Sequence, residues 1–177
     1  MSTTLFAVFP ELLIHPEANF NLFDNEKGTL LHSLIIYNQV QLVETLLNRP
    51  DVRVNLQDCD EYTPLNYSIY KNNSQISESI IQHNNVDINV FNNFGDTPLH
   101  WAVCRNNIHI VKSFLNNKNI LINMQNSTGF TPLHIAAVHG HKTLYQLIKY
   151  RPDCDANIRD NANLRACERH ELHIMKS

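Results

Sequence analysis

Glycine is scarce here: four residues in a chain of 177. That leaves no Gly-rich loop of the kind that wraps phosphate groups. Long apolar runs are missing as well, and none approaches the length that spans a bilayer. The segment from Met1 to Pro10 lacks the basic start of a secretory signal. Ser2 stands where myristoylation requires glycine. Neither sign of charge is in large excess: the net charge is −3 and the pI is near 6.3. No general attraction to nucleic acid or to an acidic membrane surface follows from that balance. The four cysteines, Cys59, Cys104, Cys154 and Cys167, include no C-x-x-C pair. A reduced, cytoplasmic compartment is the expectation from cysteine usage.

Asparagine, by contrast, is abundant, with 24 residues. Its placement is periodic. In the stretch Asn92–Asn126 a turn with Gly95 is followed by Thr97-Pro98, a helix start. A Thr oxygen caps open backbone N–H groups and Pro is preset for the first helical position. Apolar residues at helical spacing lead to Asn106-Asn107, and a second amphipathic run covers Ile108 to Leu115. This stretch recurs every 34 residues. Thr29, Thr63, Thr97 and Thr131 form one column; Leu31, Leu65, Leu99 and Leu133 form another. Asn21, Asn55, Asn89, Asn123 and Asn157 form a third, and Asn38, Asn72, Asn106 and Gly140 a fourth. Every member of the fourth tolerates positive φ, so each first helix can stop at one place.

The motif Thr-Pro-Leu-His-x-Ala stands complete at Thr97–Ala102 and at Thr131–Ala136. Repeat two has Thr63-Pro64-Leu65-Asn66, and repeat one has Thr29-Leu30-Leu31-His32 without the Pro. With Val86-Asp87-Ile88-Asn89 and Gly140-His141, these residues make the chain resemble the ankyrin-repeat family over roughly residues 20 to 160. The resemblance implies an all-α solenoid of stacked helix-turn-helix units joined by β-hairpin-like loops. The expected organisation is a helical N-terminal cap over residues 1–23 and repeats over 24–57, 58–91, 92–125 and 126–159. A degenerate C-terminal cap or tail follows over 160–177. Leu12-Leu13-Ile14-His15-Pro16 aligns one period upstream of Leu46-Leu47-Asn48-Arg49-Pro50, which is the sequence basis for the N-terminal cap. Such caps are needed because a repeat buries its apolar face only against neighbours. Repeat two is the least regular: Ser68 replaces the usual Ala, and its second helix keeps only Ile76, Ile80 and Ile81.

No residue set points to turnover. His100 and His134 are buried-turn residues in the family, bonded locally, and neither an acidic orienting group nor a nucleophile accompanies them. Cys167, His170 and His173 carry zinc-ligand chemistry. Yet i and i+6 on a helix diverge by about a third of a turn, and the spacing with Cys154 matches no standard site. No metal, cofactor or catalytic residue is expected. Trp101 lies in the column Ser33, Tyr67, Trp101, Ile135 and reads as packing between repeats.

The resemblance implies protein binding through a concave face made of hairpin tips and the exposed ends of the first helices. Carried over column by column, the candidate contacts are Tyr37, Asp60, Tyr62, Tyr70, Lys71, Phe94, Asp96, Arg105, Phe130 and His139. Aromatic rings on successive tips beside Lys and Arg match the composition of protein interfaces. The partner is then another protein, with no nucleic acid or membrane and a monomeric chain. The Asn column is structural, bracing the loop before the next hairpin. Asn89, with Ile81 eight residues before it and Asp87-Ile88 just before, also resembles the substrates of an asparaginyl hydroxylase, which favours Leu at the eight-before position. The Asn-rich, Gly-poor repeats resemble those of viral or intracellular-bacterial proteins directed at host partners in the host cytosol. Two other readings stay open: the targeting module of a longer enzyme, and an inhibitory protein that occludes a signalling factor.

Overall fold

The structure is a computed structural model that describes residues 13, 15, 17–24 and 28–175. Most of the expected N-terminal cap, and the tip residues Asn25 and Glu26, lie outside the described residues. Among the described residues there are nine helices and two isolated β-bridges, Phe23 with Thr29 and Arg159 with Arg165. The chain divides into two compact units, Met1–Val86 and Asp87–Ser177.

The first unit holds α1 (Leu30–Ile36), α2 (Val40–Leu47), α3 (Pro64–Tyr70) and α4 (Ser74–Ile81). Helices α1 and α2 form one antiparallel pair and α3 and α4 the next, with α1 on α3 and α2 on α4. The second unit holds α5 (Pro98–Cys104), α6 (Ile108–Asn116), α7 (Pro132–Val138), α8 (Lys142–Lys149) and α9 (Ala166–Ile174). It repeats the scheme: α5 packs on α6 and α7, α6 and α7 pack on α8, and α9 lies against α7.

The short helices start and stop where the columns require. Thr63, Thr97 and Thr131 each cap the backbone N–H three residues on. Each first helix ends at a left-handed residue: φ is +57° at Asn38, +54° at Asn72, +53° at Asn106 and +67° at Gly140. The residue after each sends its N–H five residues back, as in Gln39 to Leu34 and Asn107 to Ala102, which satisfies a carbonyl the helix leaves open. Asn73 and Asn107 then cap the second helices through their side chains.

The Leu column is core: Leu31, Leu65, Leu99 and Leu133 are each at most 2 % exposed. Repeat two departs from this apolar interior. Ser68 and Ser77 are fully buried and face each other, with Oγ–Oγ 2.8 Å. The Ser68 hydroxyl donates to the Leu65 carbonyl, and that of Ser77 lies within reach of the Asn73 carbonyl. One period on, the same two places hold Ala102 and Val111, both fully buried. Replacing two mutually bonded buried hydroxyls by apolar groups of matching shape is neutral to favourable. Ser68→Ala with Ser77→Val is therefore expected to raise the unfolding free energy by about 1 kcal/mol. A urea titration of the double variant checks this, and a lower midpoint would refute it.

Candidate functional site

The hairpins that carry the tips are built by a column that the sequence reading passed over: Asp24, Asp58, Asn92, Asn126 and Asp160. In each of the last four, Oδ1 accepts two backbone N–H groups, two and four residues on. They come from Asp60 and Tyr62, from Phe94 and Asp96, from Thr128 and Phe130, and from Ala162 and Leu164. The other carboxylate oxygen takes a donor nine residues on. Ser33 Oγ donates to Asp24 at 3.1 Å, Tyr67 Oη to Asp58 at 2.7 Å, and Arg169 Nε to Asp160 at 2.6 Å. Where the residue nine on is Ile135, the column holds Asn126, whose Nδ2 turns to Asp96 Oδ1 at 2.8 Å. At Asp24, Asp58, Asn126 and Asp160 the identity is thus matched to a residue nine places away; Asn92, nine before Trp101, does not follow the rule, and its Nδ2 is buried with no acceptor among the described residues.

The motif histidines hold each first helix to the following hairpin within a unit. Nδ1 of His32, His100 and His134 accepts the backbone N–H of its motif Thr at 3.1, 3.1 and 3.3 Å, and the Thr hydroxyl at 2.7–2.9 Å. With Nδ1 so occupied, the proton sits on Nε2, which donates to the carbonyl thirty residues on: Tyr62, Phe130 and Leu164, at 3.0–3.1 Å. Burial pushes all three below the usual imidazole value, against the opposing pull of those carbonyls. Asn66 copies only the local half. Its Oδ1 accepts from Thr63 N and Oγ1, while its buried Nδ2 finds no acceptor among the described residues. The histidines are structural bridges, as the family implies, and the Thr97 and Thr131 hydroxyls bonded to two of them serve as helix caps.

The Asn column is a second brace. Nδ2 of Asn21, Asn55, Asn89 and Asn123 donates to the carbonyl thirty residues on, at 2.7–2.9 Å. Oδ1 of Asn21, Asn89 and Asn123 also accepts an N–H thirty-two residues on. Asn89 is thereby engaged at both ends of its amide, to Asn119 and Leu121. A further brace was not foreseen. Arg49-Pro50-Asp51 and Arg151-Pro152-Asp153 stand three periods apart. Each Arg pairs with its Asp through two nitrogens and reaches back to a carbonyl thirty-six residues earlier, Leu13 or Leu115. The twice-occurring tripeptide was the available signal.

The candidate contacts fall into one group per unit. In the first, Tyr37 and Tyr70 are 45 % and 49 % exposed at the ends of α1 and α3, and Lys71 Nζ stands 6.0 Å from the Tyr70 ring. Asp60 is exposed at its tip, while Tyr62 is half-buried, its ring 5.8 Å from that of Tyr67. In the second unit Phe94 is 56 % exposed, and Arg105 and His139 are exposed at the ends of α5 and α7. Asp96 is half-buried and occupied by Asn126. Phe130 is half-buried between partners: its ring stacks on His134 at 5.8 Å and the Arg169 guanidinium lies 5.3 Å from its centroid. Of the three tip rings, Phe94 is the one turned out to solvent. Tyr62 and Phe130 are drawn inward because each has a ring or a cation of the same unit to pack against.

Cys167, His170 and His173 are not drawn together: His170 stacks on Tyr145 at 4.8 Å, and His173 lies against Gly140. Among the described residues no group of three or more His, Cys, Asp or Glu side chains is arranged to hold a metal ion. No described helix is long and apolar enough to cross a membrane.

Among solved structures, the chain is similar to the crystal structure of EF0377, an ankyrin repeat protein. The two are 22 % identical over 97 % of this chain and 92 % of that one, with a TM-score of 0.86. At that identity the likeness speaks for the fold, an all-α repeat solenoid. No curated protein matches the sequence. The model of the family described as Ankyrin repeats (3 copies) matches residues 6–92 and 79–160. The capped short helices, the bridging histidines and that match together place the chain: it belongs to the ankyrin-repeat family.

Proposed function

We propose that this protein binds another protein through its hairpin tips and the exposed ends of its first helices, and carries no chemistry of its own. Ankyrin repeats are in general protein–protein interaction modules, typically without catalysis. The observation that carries the proposal is the exposure of large rings in both units: Tyr37 and Tyr70, the latter with Lys71 Nζ 6.0 Å from its ring, in one, and Phe94 in the other, where Arg105 is also exposed. Rings left half in water add little to a core that the Leu column already fills, and such residues, seated in a partner's pockets, dominate binding energy.

The test is affinity capture from cytosol, followed by titration of the captured protein against variants made one unit at a time. Tyr37→Ala with Tyr70→Ala, and Phe94→Ala with Arg105→Ala, are each expected to weaken binding by roughly a hundred- to a thousandfold, at about 1.4–2 kcal/mol for each side chain. Phe130 is left intact because its ring is sandwiched within its own unit, so its loss would confuse folding with binding. Lys118→Ala, exposed on the loop after α6, is expected to change nothing. Unchanged affinity in both double variants would sink the proposal. Asn89 stands apart from this face as a proposed hydroxylation site. The hydrogen bonds of its amide would have to open first, and intact-peptide mass spectrometry of protein from cells with the hydroxylase checks it.

A further inference from the structure

The arginine brace is not repeated at every period. One period after Arg49-Pro50-Asp51 the chain reads His83-Asn84-Asn85. Where the arginine is present it does two things. It pairs with the Asp two places on, and it donates to the leucine carbonyl thirty-six residues earlier: Leu13 for Arg49 at 2.9 Å, Leu115 for Arg151. Counted the same way from His83, that carbonyl belongs to Leu47, the last residue of α2. His83 does not reach it. Its Nδ1 accepts the Asn85 N–H at 3.2 Å instead. Among the described residues nothing donates to the Leu47 carbonyl, one of the acceptors a helix leaves open at its end.

At this place the first unit has a groove of about 760 Å³, lined by Glu44 and Leu47 of α2 and by His83 and Asn85 after α4. Glu44 precedes Leu47 by three residues, so its carboxylate and the open carbonyl share one side of the helix. The carboxylate is half-buried, and the donor it holds is neutral, Gln75 Nε2 at 2.9 Å. Among the described residues no cation lies within ion-pair distance of it. Arg49 also lines the groove, but its guanidinium is taken up by Asp51 and by the Leu13 and His15 carbonyls. The Arg151 brace has the opposite charge at the matching place. Three residues before Leu115 stands Lys112. Where the chain supplies its own arginine the acid is missing, and where it supplies none the acid is there. The open carbonyls at the end of α2 add partial negative charge on the same side.

We propose that this groove binds an arginine side chain presented by another protein, in the role that Arg49 and Arg151 fill from within the chain. A guanidinium suits the two acceptors. It is planar and carries five N–H donors in a fixed fork, so it serves a carbonyl and a carboxylate at once. Its contact with Glu44 is a charge-assisted hydrogen bond, the stronger kind. A lysine ammonium brings the same charge as a point and lacks the fork. A neutral amide serves the carbonyl but leaves the Glu44 charge unanswered. Leu47 and Pro50 give apolar surface for the arginine methylenes, and the groove is larger than one side chain, which leaves room for the residues beside it. The site is separate from the tips and first-helix ends: Tyr37, Tyr70 and Lys71 do not line it.

Heteronuclear NMR of the full chain, titrated with the acetylated and amidated tripeptide Gly-Arg-Gly, tests this. The backbone amides of Leu47, Asn48, His83 and Asn85 are expected to shift and saturate, with a Kd of about 1 mM for so small a probe. The citrulline tripeptide, alike in shape but uncharged, is expected to give no saturable shift. The lysine tripeptide is expected to bind about fivefold more weakly or worse. Glu44→Gln keeps an acceptor for Gln75 and is expected to weaken arginine binding by about tenfold or more. His83→Arg with Asn85→Asp writes the brace into repeat two. That variant is expected to lose the tripeptide and to unfold at a higher urea concentration. No saturable shift at those amides overturns the proposal, as does equal affinity for lysine and arginine, or full affinity in Glu44→Gln. Undiminished binding in the His83→Arg, Asn85→Asp variant, or a lower urea midpoint for it, overturns the proposal as well, because the groove would then not be the place of a guanidinium.

Discussion

Leu99→Ala is expected to lower the unfolding free energy by about 2–5 kcal/mol, the range for emptying a fully buried leucine site. Leu99 has no exposed surface and sits on α5, one turn from Ala102 and Val103, which are equally buried. The backbone around it is held by the Thr97 cap and the His100 bridge, so the cavity has little freedom to collapse. Repeat arrays add their energies unit by unit. Repeat two has Asn66 in place of the bridging histidine and the buried Ser68–Ser77 hydroxyl pair in place of apolar side chains. Unfolding is accordingly expected in two steps, with Leu99→Ala lowering the step reported by Trp101 fluorescence and sparing the other. Coincident fluorescence and circular-dichroism transitions in the parent protein would refute the split. A loss under about 1 kcal/mol would refute the packing argument for Leu99.

The second large effect is loss of stability in mild acid. His32, His100 and His134 must be neutral when folded, because Nδ1 receives two donors and has no room for a proton of its own. Burial holds each below its unfolded value of about 6.5. The sign follows from linkage. Below pH 6.5 the unfolded chain binds more protons than the folded one, so stability falls as pH falls. The contribution is fully present above the unfolded value and is lost progressively as pH drops from about 6.5 through the folded values. The second unit has two of these histidines and the first has one, with Asn66 in the place of the missing member. Urea midpoints at pH 7.5 and 5.5 are therefore expected to fall more for the step reported by Trp101. His100→Asn should copy Asn66: it keeps the Thr97 bonds, gives up the Phe130 bond, costs about 1–3 kcal/mol at pH 7.5 and reduces the pH slope. A slope unchanged in His100→Asn would show that the acid response comes from elsewhere.

Much of this protein was legible in the bare sequence because its rules are local. The 34-residue period, the Thr caps, the left-handed helix ends and the Leu core column each concern residues within a turn or two of one another. Backbone sterics and the 3.6-residue period act at that range, so composition at a column suffices to identify them. The candidate contacts were placed by column as well, which names positions but not orientation.

Tertiary structure decided what depends on partners far along the chain. The His and Asn braces act on carbonyls thirty residues on, so their Nε2 tautomer and their filled amides follow from the next hairpin rather than from the motif. Asp160 and Asn126 look interchangeable in sequence, and only the presence of Arg169 or Ile135 nine residues on separates their roles. Tyr62, Phe94 and Phe130 read alike as tip aromatics, yet only Phe94 is turned out, because a ring's exposure is set by what packs beside it. Gly140 reads as a helix stop, which it is, but its lack of a side chain answers to His173, thirty-three residues later. Backbone preference is a property of one residue; close approach is a property of two, and it exists only once the chain has folded.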